Sequence, residues 1–313
     1  MVSLSIYAQG PFAPQVGQHG CTAIHADSTS VIAWANSVHV VRGKQDIASL
    51  NSDTTTIGDW SQATGKANGA VVSLGDSGVA TLQFDGRIYN GVGNDFVVFE
   101  NAFNHTFLEL AFVEVSSNGI DFYRFPSRSL TDTSVAVGSF GSVSPSNVHN
   151  LAGKYTVLYG TPFDLADLDS VAGLDLNSIS HVRIVDAIGT IDAKHAQRDS
   201  KGQIVNDQYP TPFPSGGFDL DAVGVIYMNG VGLQNAVKFN EVAVYPNPSN
   251  GMLTVEGVDF NEATFKVISM EGKLLKQGSV SQRKNELTSL LFGYYSLLLE
   301  NGSTTSHHKI IVR

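Results

Sequence analysis

The apolar residues of this chain come in short runs that end at Gly, Asn, Asp or Pro, and that punctuation argues against a helical architecture. A helix needs a period of about 3.6 sustained over several turns. Only residues 164–171 hint at one. Strand-like runs recur instead at 71–74, 79–84, 95–100, 108–116, 121–125, 181–186 and 218–227. Asn90-Gly91, Gly93-Asn94 and Ser117-Asn118-Gly119 separate several of them, and Asn118-Gly119 is the strongest hairpin signal in the chain. Many short strands at this spacing predict an all-β chain, and the long return from Phe125 to His181 suits Greek-key or jelly-roll connectivity.

The 313 residues leave room for two domains. Gly, Asn and other polar residues dominate 229–240, a linker composition. Residues 11–228 then form a large β-sandwich, and 241–313 a small Ig-like one with strands "MLTVEG", "TFKVISMEGKLLKQG", "YYSLLLENG" and "HHKIIVR". The start, residues 1–10, looks like the tail of a secretory signal peptide without its charged n-region; an edge strand is the alternative. No apolar run is long enough to span a bilayer. The net charge of −10, with Lys+Arg 19 against Asp+Glu 29, argues against a nucleic-acid partner. Cys21 is the only cysteine, so no disulfide framework is expected.

The stretch "SGGFDLDAVGVI", residues 215–226, carries two acids two positions apart. Strand alternation places Asp219 and Asp221 on one face, where like charges need a cation, a basic partner or full exposure. Calcium takes oxygens from carboxylates, carbonyls and Asn side chains, so Asp219 and Asp221, with Glu100 and Asn101 from another strand end, are the expected calcium ligands. Pairing with Arg183 is the alternative. The long polar loop 191–217 is expected to border a ligand site, with Tyr209, Phe213, His195 and Arg198 forming a rim for a sugar or another flat ligand. Glu100 and Glu114 are the carboxylates a polysaccharide hydrolase would use, but no nucleophile elbow or cleft motif accompanies them, so catalysis is not the expected role.

Two resemblances extend this reading. The stretch from Val242 to Val255, "VAVYPNPSNGMLTV", with Tyr245, Pro246, Asn247, Pro248, Asn250 and Gly251, resembles the type A C-terminal sorting domain of type IX secretion cargo. That resemblance implies the type IX machinery as a partner and delivery to the cell exterior. The stretches "GVGNDFVVFENAF", "LAFVEVSSNGIDFYRFPS", "YGTPFDLADL", "VRIVDAIG" and "PFPSGGFDLDAVGVI" resemble bacterial cell surface proteins of unassigned biochemistry. They imply an extracellular sandwich akin to carbohydrate-binding jelly rolls. The expectation is a surface binding or adhesion protein for a glycan or another small ligand. A secreted polysaccharide hydrolase, or a nutrient-capture component serving an outer-membrane transporter, is the alternative.

Overall fold

The computed structural model describes residues 10–230, 243–250, 252–256, 264–269, 273–280, 285–286, 290–301 and 304–313. The chain separates into two compact units, Met1–Val231 and Gly232–Arg313. Residues 1–9 of the expected leader and 231–240 of the expected linker lie outside the described residues.

The strands of the first unit are β1 (Ile24–His25), β2 (Ala33–Trp34), β3 (Ser37–Val41), β4 (Val72–Ser73), β5 (Val79–Ile88), β6 (Phe96–Glu100) and β7 (Ala111–Ser116). They continue with β8 (Tyr123–Arg124), β9 (Arg128–Ser129), β10 (Val148–His149), β11 (Tyr159–Phe163), β12 (Ile179–Asp186), β13 (Asp219–Val225) and β14 (Met228–Asn229). One sheet runs β1-β11-β6-β13-β2, with β4 also on β13; the other runs β14-β5-β12-β7-β8, with β3 also on β5. Consecutive strands β5, β6 and β7 alternate between the sheets, as do β11, β12 and β13. The core lies between them: Phe96, Val98, Val223 and Val225 from the first sheet meet Leu82, Val113, Val115, Val182 and Ile184 from the second. Each such side chain contributes roughly 1.5–3 kcal/mol by leaving water.

β6 and β13 are buried along their whole length. A second cluster of Val97, Phe99 and Ala222, with Trp34 packed on it, covers their other face. Burial on both faces explains why "FVVFE" reads as a continuous apolar run rather than an alternation.

The all-β expectation is borne out. So is the Asn118-Gly119 turn: Asn118 Oδ1 accepts the Ile120 and Asp121 N–H groups at 2.8 and 2.9 Å, and Gly119 has φ +76°. The helical hint at 164–171 is a single 3-10 turn, Leu165–Leu168, capped by Asp164. The return from Phe125 to His181 contains β9, β10 and β11, which the sequence reading passed over.

Strand β13 is irregular where the two acids stand. Leu220 pairs with Glu100 but Ala222 pairs with Phe99, so Asp221 is an extra residue, a bulge. The two acids have separate partners on either side of this irregularity. The Ser73 hydroxyl on β4 donates to Asp219, whereas Asp221 accepts the N–H groups of Asn68 and Gly69 at 3.1 and 2.9 Å.

In the second unit the strands are β15 (Ala243–Tyr245), β16 (Met252–Glu256), β17 (Thr264–Ser269), β18 (Leu274–Ser279), β19 (Asn285–Glu286), β20 (Gly293–Asn301) and β21 (Thr304–Val312). They form the sheets β15-β16-β19 and β18-β17-β20-β21. Leu253 and Val255 of one pack against Phe265, Val267, Leu297, Leu299 and Ile310 of the other, a small β-sandwich.

Candidate functional site

At the end of β6 the chain leaves the sheet at Glu100 and turns through Asn101 into the loop that carries Phe103 and Phe107. Asp219 opens β13 beside it, and Glu109 lies just before β7. Two further loops, one with Ser139 and Phe140 and one with Thr211, Phe213 and Ser215, complete a cavity of about 330 Å³. Its floor is carboxylic and its rim aromatic. Hollows of about 410 Å³ beside Lys154 and about 540 Å³ along β3 are larger, but neither gathers unpaired buried acids.

Hydrogen bonds hold the rim loops to one another. Asn104 Oδ1 accepts the Thr106 and Phe107 N–H groups at 2.8 Å, shaping the first loop as an Asx turn. The Val143 N–H donates to the Thr106 carbonyl at 2.7 Å and ties the second loop to the first. Ser139 Oγ donates to the Pro210 carbonyl at 2.6 Å and ties the second to the third. The rings then follow one another: Phe103 to Phe107 at 4.5 Å, Phe107 to Phe140 at 6.5 Å and Phe140 to Phe213 at 6.0 Å between centroids. Phe103 is 72 % exposed, Phe140 76 % and Phe213 40 %. Apolar rings held in water by rigid loops are the mark of a contact surface rather than of a core.

The floor is electrostatically unusual. Glu100 is fully buried, and desolvation, then the nearby Asp219 charge, raise its pKa well above the usual carboxyl range; the Ala102 N–H, 2.8 Å from Oε2, partly offsets this. Burial pushes Asp219 up to about 6, against the Ser73 hydrogen bond. Glu109 is 9 % exposed, and among the described residues no hydrogen bond or ion pair reaches its carboxyl. Its pKa is raised well above the usual range by burial, then by Asp219, Glu100, Asp207 and Asp186. Behind it, burial and then Asp76 push Asp186 up to about 8. Among the described residues, no Lys, Arg or His lines the cavity.

Four of the residues singled out from sequence therefore meet here: Glu100, Asn101, Asp219 and Phe213. Asp221 does not line the cavity and serves the turn at 68–69. Tyr209 donates its hydroxyl to Asp46 at 2.9 Å, Arg198 donates to the Gly202 carbonyl at 2.8 Å, and the His195 N–H closes a turn onto the Asp192 carbonyl at 3.0 Å. None of these three lines the cavity. Glu114 is held by Arg124 and Arg183, at 2.8 and 2.5 Å, on the other sheet. Neither the Glu100–Glu114 pair nor an Arg183 bond to Asp219 or Asp221 is formed. Glu109, Phe103, Phe107 and Phe140 were missed. Phe140 sits in the Gly/Ser stretch 138–142, and Phe103 and Phe107 flank a polar turn, so each reads singly as an exposed loop residue.

Among the described residues no three His, Cys, Asp or Glu side chains are placed to hold one metal ion. The Gly216 carbonyl accepts the Gly75 N–H at 3.0 Å. Gly217, at φ +69°, has the Gly75 backbone 2.9 Å from where a Cβ would stand, so the glycine pair serves this close approach of backbones.

In the second unit the signature residues line up along the last strand. Tyr245 ends β15 opposite Thr254. Asn247 Nδ2 donates to the Lys309 carbonyl at 2.8 Å, its Oδ1 accepts the Ile311 N–H at 2.9 Å, and Ser249 bridges in parallel to Val312. Pro246, Pro248 and Asn250 are exposed between these contacts; Gly251 lies outside the described residues.

Among solved structures, similarity extends to PorZ, an essential bacterial surface component of the type IX secretion system of Porphyromonas gingivalis, at 12 % identity and a TM-score of 0.23, covering 88 % of this chain and 42 % of that one. It extends also to a Faecalibacterium prausnitzii β-glucuronidase, at 12 % identity, a TM-score of 0.19 and coverages of 93 % and 46 %. A Ruminococcus gnavus β-glucuronidase follows at 9 %, 0.18, 90 % and 46 %. The chain spans less than half the length of these proteins, and likenesses at such TM-scores carry no argument about its activity. No curated protein matches it in sequence. Residues 243–313 match the family described as secretion system C-terminal sorting domain, and the small β-sandwich that ends this chain is such a sorting domain.

Proposed function

We propose that this chain is a non-catalytic binding protein carried out of the cell by the type IX secretion machinery and delivered to the cell surface, where its large unit takes a small extracellular ligand. The observation that carries the reading is the joining, in one chain, of a sorting domain at 243–313 to a preformed cavity with three exposed Phe rings at its rim. Such a cavity, apolar at the mouth with a few converging polar groups, has the composition of a ligand site. In a host that has the secretion system, removing 243–313 should leave the protein in the periplasm. Phe140→Ala with Phe213→Ala should abolish binding of ligands found by a glycan and small-molecule screen without lowering Tm. Surface display of the truncated chain would refute the export half, and undiminished binding by the double variant the pocket half.

A second reading, glycoside hydrolysis, is favoured by the meeting of Glu109 and Asp219 in one aromatic-rimmed cavity. A carboxyl that burial raises well above the usual range, beside one that burial pushes up to about 6, suits a general acid and its partner. Turnover of aryl glycosides that disappears in both Glu109→Gln and Asp219→Asn would establish it; the binding reading expects none.

A further inference from the structure

The cavity combines an acidic floor, an aromatic rim and, among the described residues, the absence of any basic side chain in its lining. Among the described residues, every other buried carboxyl of this unit accepts at least one hydrogen bond or holds a base, although Asp207 Oδ1 is left over. Glu114 holds two arginines, Asp199 holds Arg128, and Asp221 caps two N–H groups. Glu109 is the exception, nine-tenths buried, without hydrogen bond or ion pair among the described residues, and lining the cavity. A buried carboxyl left without a donor is unfavourable by itself, and a cation from outside relieves it. Phe rings have no hydroxyl or N–H to offer a sugar, but their faces attract cations, more strongly once water is excluded.

We infer that the cavity takes an organic cation, an alkylammonium group seated between the Phe103–Phe107–Phe140–Phe213 rim and the Glu109 carboxyl. This rests on the cavity being the ligand site. A metal ion would leave the rings without a role, since they supply no oxygen. Burial first, and then the charges of Asp219, Glu100, Asp207 and Asp186 facing it, disfavour the ionised form of Glu109 and so favour a proton on it. A bound cation favours the ionised form instead, so affinity rises with pH.

Choline and its uncharged carbon isostere 3,3-dimethylbutan-1-ol separate charge from shape. Titration of the full chain with each, followed by calorimetry or ligand-observed NMR, should show saturable choline binding and at least about tenfold weaker binding of the isostere. Glu109→Gln and Phe140→Ala should each weaken choline by about tenfold, and binding should tighten from pH 6 to pH 8. Butylammonium and calcium chloride complete the series. Equal binding of the isostere, displacement of choline by calcium, or failure of both ammonium ions to bind overturns the inference. If a neutral sugar binds in a Phe140-dependent manner while both ammonium ions fail, the cavity remains the ligand site and only the cation is wrong. If nothing bound depends on Phe140, both readings fall.

Discussion

The side-chain amide of Asn247 holds the backbone of Ile311 as a neighbouring strand would, accepting its N–H at 2.9 Å while donating to the Lys309 carbonyl one residue pair away at 2.8 Å. A proline on either side of Asn247 removes the backbone donors that would otherwise extend β15, and the side chain takes over the pairing. The sorting signature is thus structural as well as distinctive: it closes the edge of β21. Asn247→Ala removes both bonds at a half-wet site, a loss of about 1 kcal/mol. Hydrogen exchange of the full chain should show the Ile311 amide exchanging about fivefold faster, with the amides of β12 unchanged. An unchanged Ile311 rate would mean that the strand is held without Asn247.

The buried acids predict how stability depends on pH. Asp76 and Asp219 are pushed up to about 6 and Asp186 to about 8, each chiefly by burial. A carboxyl whose pKa is higher in the folded state than in the unfolded one favours folding while it is protonated in the fold. That contribution is complete below the unfolded value of about 4 and is lost as pH rises through the folded value. The large unit should therefore lose stability from about pH 4 to pH 8, with Asp76, Asp219 and Asp186 all contributing up to about pH 6 and Asp186 alone of the three above it, unlike a protein whose carboxylates are ion-paired. Denaturant midpoints across that window should fall. A midpoint that rises instead would show that these groups are ionised at no cost.

Glu109→Gln isolates one member of the cluster. Because no described group donates to the Glu109 carboxyl, the amide replaces it without leaving a donor stranded, and it removes a charge that Asp219, Glu100, Asp207 and Asp186 oppose. The variant should be more stable than the parent at pH 8, with the gain vanishing near pH 4. Equal stability at both pH values would place a compensating partner at Glu109.

Much of the fold was legible because β-sandwich strands announce themselves by length and punctuation, and β6, β7, β12 and β13 all do so. Strand β11 was hidden by Pro162, a residue that ordinarily demotes a strand; here it sits opposite Val97. Strand β3, "SVHVV", alternates plainly in its half-buried Val38 and Val40 yet was passed over. The site was legible in part. Glu100, Asn101 and Asp219 stand at strand ends, where acids attract notice, and Phe213 stands in a long loop. Glu109 belongs to the stretch 108–110, buried at every position, so no alternation marks it as different from Leu108 and Leu110. The Phe rim exists only through tertiary structure, from three loops that sequence spacing cannot bring together. The bulge at Asp221 has the same character: nothing in the spacing marks the extra residue that leaves Ala222, not Asp221, opposite Phe99.

Asp219 and Asp221 supply the last prediction, because each has found its own remedy for burial. Asp221 accepts from Asn68 and Gly69, fixing the turn before β4, so Asp221→Ala strands two N–H groups and should lower stability by about 2–3 kcal/mol. Asp219 needs only the Ser73 hydroxyl, and Asp219→Asn preserves a partner for it, so that variant should lose less than about 1 kcal/mol at pH 7. A shared calcium ion would make the two variants alike and make the parent's melting temperature respond to chelator, by about 2.7 kcal/mol of linkage at a hundredfold excess of free ion over its dissociation constant. Separate hydrogen-bonded roles require unequal variants and a parent indifferent to chelation. Melting curves of the three proteins, recorded with added calcium and then with chelator, decide between the two.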